Sequence, residues 1–189
     1  MSGFDVTAFR TNLIGDGARP NLFDVTLQFP SWIPTGGTAG QQSTFMVKAA
    51  QLPGSTIGIS PLFYFGREVK LAGNRTFADW TIQVINDENF LIRNAFEQWL
   101  NGMNDPIGNI RNPNANIVDG GYGVDAQVNQ YSKTGDIIKT INLVSMFPVD
   151  VAPLDLDWGS NDTIQEYAVT LAFQYWYDPN FPVTSAPTP

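Results

Sequence analysis

The segment Leu154–Glu166, LDLDWGSNDTIQE, carries oxygen-bearing side chains at a spacing that resembles a calcium-binding loop. The first, third, seventh and twelfth positions of the EF-hand pattern are filled by Asp155, Asp157, Asn161 and Glu166. That pattern also needs an oxygen ligand at its fifth position and a glycine at its sixth, where the chain turns sharply. Gly159 and Ser160 stand at those two positions instead. We therefore interpret the segment as a turn between two strands, with Trp158 packed inward.

A second candidate for chemistry is the adjacent pair Asp87 and Glu88, which has the residue types of a general acid and base. Neighbouring carboxylates at the start of a helix more often compensate the helix dipole. The chain of 189 residues has no cysteine and no histidine. This excludes thiolate nucleophiles, cysteine-based zinc sites and the serine–histidine–aspartate triad. We predict a protein that is not an enzyme and has no catalytic residue, cofactor or metal site.

The overall composition is that of a folded protein, with 43% hydrophobic and 15% charged residues. Its formal net charge of −8 argues against a surface that holds nucleic acid, because phosphate neutralisation needs clustered lysine and arginine. No apolar run approaches the roughly 20 residues of a membrane span, and the first residues lack the pattern of a signal peptide. We expect a soluble protein, made in a cytoplasm, with a single domain over residues 1–178.

Most of the chain alternates between apolar and polar residues with the period of a β-strand. Phe23, Val25, Leu27 and Phe29 share one face of the first such segment. Further strands are predicted at 43–51, 63–71, 75–85 and 163–177, and a hairpin at 126–147. In the predicted strand 63–71 we place Phe63, Phe65, Val69 and Leu71 together. In the last strand we place six residues on one apolar face: Tyr167, Val169, Leu171, Phe173, Tyr175 and Tyr177.

The remaining segments are one helix and several loops. Apolar residues between 91 and 100 recur with helical spacing, and Asn86 or Asp87 is positioned to cap this helix while Gly102 ends it. We predict an N-terminal arm at 1–18, loops at 30–42 and 52–61, a long Asn/Gly loop at 101–124 and an extended Pro-rich tail at 179–189. The fold class is mainly β, a small antiparallel barrel or sandwich with one flanking helix. Trp80, Trp158, Phe173, Phe96 and Trp99 are expected to pack together.

Four stretches, in this order and spacing, resemble the tail tube proteins of contractile-tailed, T-even-like bacteriophages. They are ARPNLF (18–23), KAAQLPG (48–54), LAGNRTFADWTIQVINDE (71–88) and LDLDWGSNDTIQEYAVTLAFQYW (154–176). The resemblance implies a structural subunit whose hexameric rings stack into a hollow tube inside a contractile sheath, as the conduit for genome ejection. It also implies assembly in the host bacterial cytoplasm and a final place in the virion. The implied partners are other copies of the chain, the sheath protein, baseplate proteins, the tape-measure protein and double-stranded DNA that passes without specific binding.

Within such a tube, the polar sides of the barrel strands are expected to face the channel. The candidates for this role are Glu68, Asp125, Gln127, Asn129, Thr140 and Asn142. The arm and the loop at 52–61 lack apolar periodicity of their own, and we expect them to bridge neighbouring subunits and stacked rings. The candidates for those contacts are Phe4, Phe9, Arg10, Arg19, Pro53, Ile57 and Ile59.

Two other functions fit parts of the pattern. The first is a related tube, either the haemolysin-coregulated ring protein of type VI secretion or the inner tube of another contractile injection system. The second is a carbohydrate-binding β-sandwich, because 13% of the residues are aromatic. Most of those aromatics fall on apolar faces of strands or of the helix, where a core accounts for them.

Overall fold

The structure is a computed structural model that describes residues 5–115 and 121–181. Its helices are α1 (Val6–Asn12), α2 (Gly36–Met46) and α3 (Leu91–Met103), with a 3-10 turn at Ile14–Asp16. Its strands are β1 (Phe23–Leu27), β2 (Val47–Ala50), β3 (Thr56–Tyr64), β4 (Arg67–Thr76), β5 (Trp80–Ile85), β6 (Val124–Tyr131), β7 (Ile137–Val151), β8 (Glu166–Ala172) and β9 (Tyr175–Tyr177). The predicted mainly β, antiparallel architecture is confirmed.

Seven strands form one antiparallel sheet in the order β1-β6-β7-β8-β5-β2, with β9 also paired to β7. Strand β7 is 15 residues long and belongs to three ladders. Its first part pairs with β6 and β9, and Phe147–Val151 pairs with β8. Strands β1 and β2, at the two ends of this order, approach each other without a ladder between them. The sheet therefore curls around a core but is not closed within one subunit.

The core lies between this sheet and α3. Val25, Leu27, Trp80 and the inward side chains of β8 are buried, as the strand alternation predicts. Phe23 and Phe29 pack against the same cluster. Trp80 is 2% exposed, and its indole N–H donates to the Gln51 carbonyl oxygen at 2.6 Å.

Helix α3 confirms the predicted helix and its inward face. Phe96 and Trp99 are fully buried and stack at 6.1 Å between ring centroids. The N-cap residue is Phe90, which makes no side-chain cap bond, so neither Asn86 nor Asp87 stands at the cap position. Asp87 still acts on the first turn as expected, because its Oδ1 accepts a hydrogen bond from Leu91 N at 3.1 Å. Gly102 does not end the helix. It lies inside α3, which continues to Met103. A glycine is needed at this position because the Trp32 ring packs against it, and a Cβ there would stand 2.2 Å from the ring.

Helix α2 replaces part of a predicted loop and the start of a predicted strand. Its sequence, GGTAGQQSTFM, has no large apolar stripe, which is why periodicity does not reveal it. Small residues let it lie close to β1, since a Cβ at Gly40 would be 2.7 Å from the Leu27 carbonyl oxygen. The Ser43 hydroxyl donates to the Gly40 carbonyl and accepts from Leu27 N. Close backbone packing and the burial of small residues, not of large apolar side chains, hold this helix.

Strands β3 and β4 form a separate two-stranded hairpin, and two predictions about this region are wrong. Residues 56–61, expected in a loop, belong to β3. The predicted strand 63–71 contains the turn, because Phe65 and Gly66 both have positive φ and reverse the chain as a two-residue hairpin loop. Phe63 therefore pairs with Glu68, while Val69 pairs with Leu62 on the other face.

The predicted last strand is also interrupted. Strand β8 ends at Ala172, and Gln174 N then donates to the Val144 carbonyl oxygen at 3.0 Å as the chain moves to the other part of β7. Tyr175 and Tyr177 in β9 are consequently exposed, so the prediction of a continuous six-residue apolar face is wrong beyond Phe173. The hairpin predicted at 126–147 is confirmed by β6 and β7.

Candidate channel face and assembly surfaces

One side of the sheet around β6 is polar, and it contains most of the predicted channel residues. Ala126 and Val128 point into the core, so the alternate residues of β6 point outward. The ladders place their cross-strand partners on the same side. We call this set the polar face: Asp24, Thr26, Asp125, Gln127, Asn129, Tyr131, Thr140 and Asn142. The structure thus brings five of the six predicted channel residues together.

The side chains of the polar face are linked by hydrogen bonds. Asp24 accepts from Asn129 Nδ2 at 3.0 Å and from the Tyr131 hydroxyl at 2.6 Å. Thr140 Oγ1 donates to Asn129 Oδ1 at 3.0 Å. Asn129 and Thr140 are only 7% and 8% exposed. These bonds fix the rotamers of the polar face, so it is a rigid surface.

A fourth side-chain hydrogen bond on the polar face joins Gln127 Nε2 to Asn142 Oδ1 at 3.1 Å. Asp125 is exposed, and its Oδ1 accepts from Ser145 N at 3.0 Å. The β6–β7 ladder is therefore bridged by side chains as well as by its backbone.

The charge of the polar face is negative. Asp24 and Asp125 are its charged residues, and no lysine or arginine stands at its positions. The hydrogen bond from Tyr131 to Asp24 raises the pKa of the tyrosine, helped by burial and by the aspartate charge. Lys139 lies opposite Gln130, on the other side of the sheet, and binds Asp178 at 3.0 Å. The polar face therefore presents carboxylate, amide and hydroxyl groups.

Glu68, the sixth predicted channel residue, lies elsewhere. It is exposed on β4 in the separate hairpin, opposite Phe63. Every residue of β3 and β4 is exposed, on both faces of the hairpin. Two of the predicted contact residues, Ile57 and Ile59, lie here with the other large apolar side chains of this surface: Leu62, Phe63, Tyr64, Phe65, Val69 and Leu71.

The hairpin is irregular near its base, where its register shifts between Ile57 and Ile59. Gly58 and Gly73 approach each other there, since a Cβ on Gly73 would be 3.0 Å from the Gly58 carbonyl oxygen. Such a bulge increases the twist of a ribbon and redirects the part of the ribbon beyond it. The glycines thus set the direction in which the hairpin leaves the body of the subunit.

The other predicted contact residues lie along the arm and before β3. Phe9 and Arg10 are exposed on α1, which has no buried residue. Arg19 is exposed between the 3-10 turn and β1, and Pro53 is half-buried just before β3. Phe4 lies outside the described residues. The structure does not bring these residues into one patch within a subunit.

The segment 152–165 between β7 and β8 is a surface that sequence reasoning missed. Its turn is as expected, with Ser160 N donating to the Asp157 carbonyl and Gly159 N to Asp157 Oδ1. The predicted inward placement of Trp158 is wrong, because this side chain is 101% exposed. Leu156 and Ile164 are exposed beside it. The position of this tryptophan between Asp157 and Gly159, at a turn, was the available signal that it does not belong to the core.

Two further observations concern ligands and membranes. Within residues 5–115 and 121–181, no three Asp, Glu, His or Cys side chains are placed to hold a metal ion. In the same ranges, no helix has the length and apolarity needed to cross a membrane.

Comparison with known proteins places these features in a family. The family model described as phage tail tube protein matches residues 18–178. The tail tube protein gp19 of Enterobacteria phage T4 is 36% identical over 167 residues, which is 86% of this chain and 92% of that protein. The corresponding protein of Enterobacteria phage T6 matches to the same extent.

Solved structures show the same fold at much lower identity. The PVC sheath-tube complex of an extracellular contractile injection system in its extended state contains a chain with a TM-score of 0.58 and 13% identity, covering 93% of this chain and 98% of that one. The anti-feeding prophage cap contains one with a TM-score of 0.60 and 15% identity, covering 86% and 90%. Together with the family match and the phage relatives, this fold shows that the chain belongs to the phage tail tube protein family, as a structural, non-enzymatic subunit of a contractile phage tail.

Proposed function

We propose that six copies of the chain close into a ring and that rings stack into the tube through which the genome leaves the virion. The β3–β4 hairpin carries this proposal. A two-stranded hairpin is marginally stable in water unless something packs against it. This one is exposed on both faces and rich in aromatic and branched side chains. A neighbouring copy that covers the hairpin would supply the missing packing.

The open ends of the sheet support ring closure. Strands β1 and β2 end the strand order and leave backbone groups without a ladder partner. Unpaired edges tend to pair with other chains. An interface that joins one edge to the next copy closes into a ring, whereas a second interface between ring faces continues into a filament.

We assign the polar face to the channel wall. In a ring, its carboxylates recur once in every copy, and stacking repeats them along the tube. DNA carries a negative charge about every 1.7 Å of its axis, so a wall of this composition offers it no counterion-releasing contact. We expect no salt-sensitive binding of duplex DNA to assembled tubes at low ionic strength. Salt-sensitive binding inside the tube, or a positive potential on the wall of an assembled tube, contradicts this assignment.

The proposed partners follow from the position of a tube in a contractile tail. A sheath protein surrounds the tube, baseplate proteins hold its first ring, and the tape-measure protein occupies the channel before DNA passes. Assembly takes place in the host bacterial cytoplasm, and the finished tube remains part of the virion tail. Glu68, on the hairpin, belongs to the contacts between copies and not to the channel wall.

Negative-stain microscopy and sedimentation of the purified chain test the proposal. We expect rings or tubes from the wild type and a soluble, folded monomer from the double variant Phe63→Ser/Leu71→Ser. Ile107→Ser is the matched control, because Ile107 is 96% exposed in a different loop, and this variant should assemble normally. A wild type that stays monomeric at high concentration, or a double variant that assembles as well as the control, refutes the proposal.

Removal of residues 2–17 tests the contribution of the arm. Helix α1 packs only against the neighbouring 3-10 turn among the described elements, so the core should fold without it. We expect an unchanged denaturation midpoint and no tubes. Sedimentation of the shortened chain as wild-type tubes would show that the arm does not connect subunits.

A further inference from the structure

The loop 152–165 combines exposed apolar side chains with negative charge. Leu156, Trp158 and Ile164 are its exposed apolar residues. Asp155, Asp157 and Asp162 lie among them, and the 14 residues contain no lysine or arginine. Exposed apolar patches with a polar rim mark contact sites in soluble proteins.

The charge of this loop is not neutralised inside the subunit. Asp155 and Asp162 have no ion pair or side-chain hydrogen bond among the described residues. The basic residues at the base of the loop do not pair with its aspartates: Lys48 binds Glu166 at 2.6 Å, and Arg93 binds Glu97 at 2.9 Å and donates to the Ala152 carbonyl oxygen at 3.1 Å. A contacting surface therefore needs apolar groups together with a positive charge.

Helix α1 has that combination. Val6 and Phe9 lie on one side of the helix, and Leu13, four residues further at its C-cap, continues this apolar stripe; Arg10 lies beside it. All four are exposed, and Arg10 has no ion pair or hydrogen bond in the described part of the chain. Asp5 is used as the N-cap, accepting hydrogen bonds from Thr7 N and Ala8 N.

The shortness of α1 is a second reason to expect that it packs against another molecule. It has seven residues, and isolated helices shorter than about 12 residues are marginal in water. Because α1 contacts no strand and no other helix among the described elements, its own subunit does not supply that packing.

We propose that α1 of one copy docks on the loop 152–165 of a neighbouring copy, with its apolar stripe on Leu156, Trp158 and Ile164 and with Arg10 against the aspartates. This proposal rests on the tube assembly proposed above. It identifies which surfaces meet: a basic, apolar helix and an acidic, apolar loop. Both surfaces belong to every copy, so the contact repeats throughout the assembly.

Cross-linking tests the contact directly, because the chain has no cysteine of its own. Thr7→Cys places a thiol beside the stripe, and Ser160→Cys places one in the loop without removing an apolar residue. The two single variants are mixed, assembled and treated with a short bis-maleimide. We expect a cross-linked dimer on a denaturing gel, formed between different copies since each chain has one thiol. Thr7→Cys mixed with Ile107→Cys is the control and should give little dimer.

Charge reversal tests the electrostatic part of the proposed contact. Arg10→Glu, and separately Asp155→Lys/Asp162→Lys, should each lower the association constant for assembly about fivefold, the upper range for exposed pairs. Both changes combined should restore most of the loss, while circular dichroism confirms that every variant is folded. Restoration supports the contact.

The outcomes separate this proposal from the tube itself. Normal tubes without the cross-link between positions 7 and 160, or without recovery in the combined variant, overturn the docking proposal and leave the assembly proposal intact. The loop is then a surface for another partner, such as the sheath. A wild type that forms neither rings nor tubes, and gives no cross-link, overturns both.

Discussion

Helix α3 and the β3–β4 hairpin have similar contents of aromatic and aliphatic side chains, and they differ in what covers those side chains. In α3 the apolar residues lie on one face and pack against the sheet, where Phe96 and Trp99 are fully buried. In the hairpin they lie on both faces and remain exposed. The helix therefore contributes to the stability of one subunit, whereas the proposed assembly would let the hairpin contribute once another copy covers it.

This difference separates two kinds of substitution. A change in the core should alter the unfolding of a monomer, and its effect on assembly should follow from that loss. A change on the hairpin or on the loop 152–165 should leave the monomer as stable as before and alter only association. Four substitutions, in order of decreasing effect, test whether the two regions are separate in this way.

Trp80→Ala should have the largest effect on the monomer. It removes a buried indole and the hydrogen bond to the Gln51 carbonyl, and we expect a loss of about 3–5 kcal/mol in the free energy of unfolding. Chemical denaturation measures this loss. Phe63→Ala on the hairpin is the control, with a change within about 0.5 kcal/mol. Equal losses in the two variants would mean that the hairpin packs on its own subunit.

Gly102→Ala should have an intermediate effect. The added methyl group would stand 2.2 Å from the Trp32 ring, so the indole has to move. Overpacking of this kind costs about 1–3 kcal/mol, which thermal and chemical denaturation both detect. Gly37→Ala is a suitable control in a helix, because nothing lies within 4 Å of a Cβ there. If Gly102→Ala is as stable as this control, α3 does not hold Trp32 as described.

Trp158→Ala should leave the monomer nearly unchanged, within about 0.5 kcal/mol, because the side chain has no packing to lose. Its tryptophan fluorescence difference spectrum should be that of a water-exposed indole. A destabilisation comparable with that of Trp80→Ala would instead indicate that Trp158 packs inward, as the sequence suggested.

The smallest effect concerns pH. The hydrogen bond from Lys139, with a second from Asn180 N, lowers the pKa of Asp178 below its usual value of 3.8. A carboxyl group with a lowered pKa in the folded state stabilises the protein above the pKa of the unfolded state, and this contribution is lost as the pH falls through the folded-state pKa. Lys139→Met should therefore be less stable than wild type at neutral pH. In a denaturation series the difference should stay constant from neutral pH down to about pH 5, and shrink below it as the pH falls through the pKa of the unfolded and then of the folded state. A difference independent of pH would show that the lysine acts through packing alone.

Sequence patterns predicted those elements whose side chains are covered within the subunit. The alternation in β1 and β8 and the helical spacing in α3 reflect burial against one core, which is what periodicity reports. Helix α2 lacks this signal because it packs through the backbone of its glycines. The hairpin lacks it because both of its faces are exposed and carry apolar side chains, so neither face is distinguished by burial.

The same distinction, between elements covered within the subunit and exposed elements, applies to the candidate site residues. Those of the polar face could be predicted together because β6 has one buried side and its ladder with β7 is regular from Ala126 to Gln130. Glu68 does not belong with them, since among the described strands β4 pairs only with β3, in a hairpin separate from the seven-stranded sheet. The size of Trp158 favours an inward placement, although the residues around it favour a turn. Contacts that exist only between copies leave no periodic signal in one chain.

The marginal stability of the hairpin has a consequence for how fast tubes begin and grow. Two free subunits that meet must both order their hairpins to make a first contact, whereas a subunit that reaches an existing end finds a surface already formed. Tube growth should therefore show a lag that shortens steeply with concentration. Light scattering should record this lag, and short preformed tubes should abolish it. In the cell, a baseplate that presents the first ordered binding surface would then determine where tubes start. Free subunits would stay unassembled until they reach it.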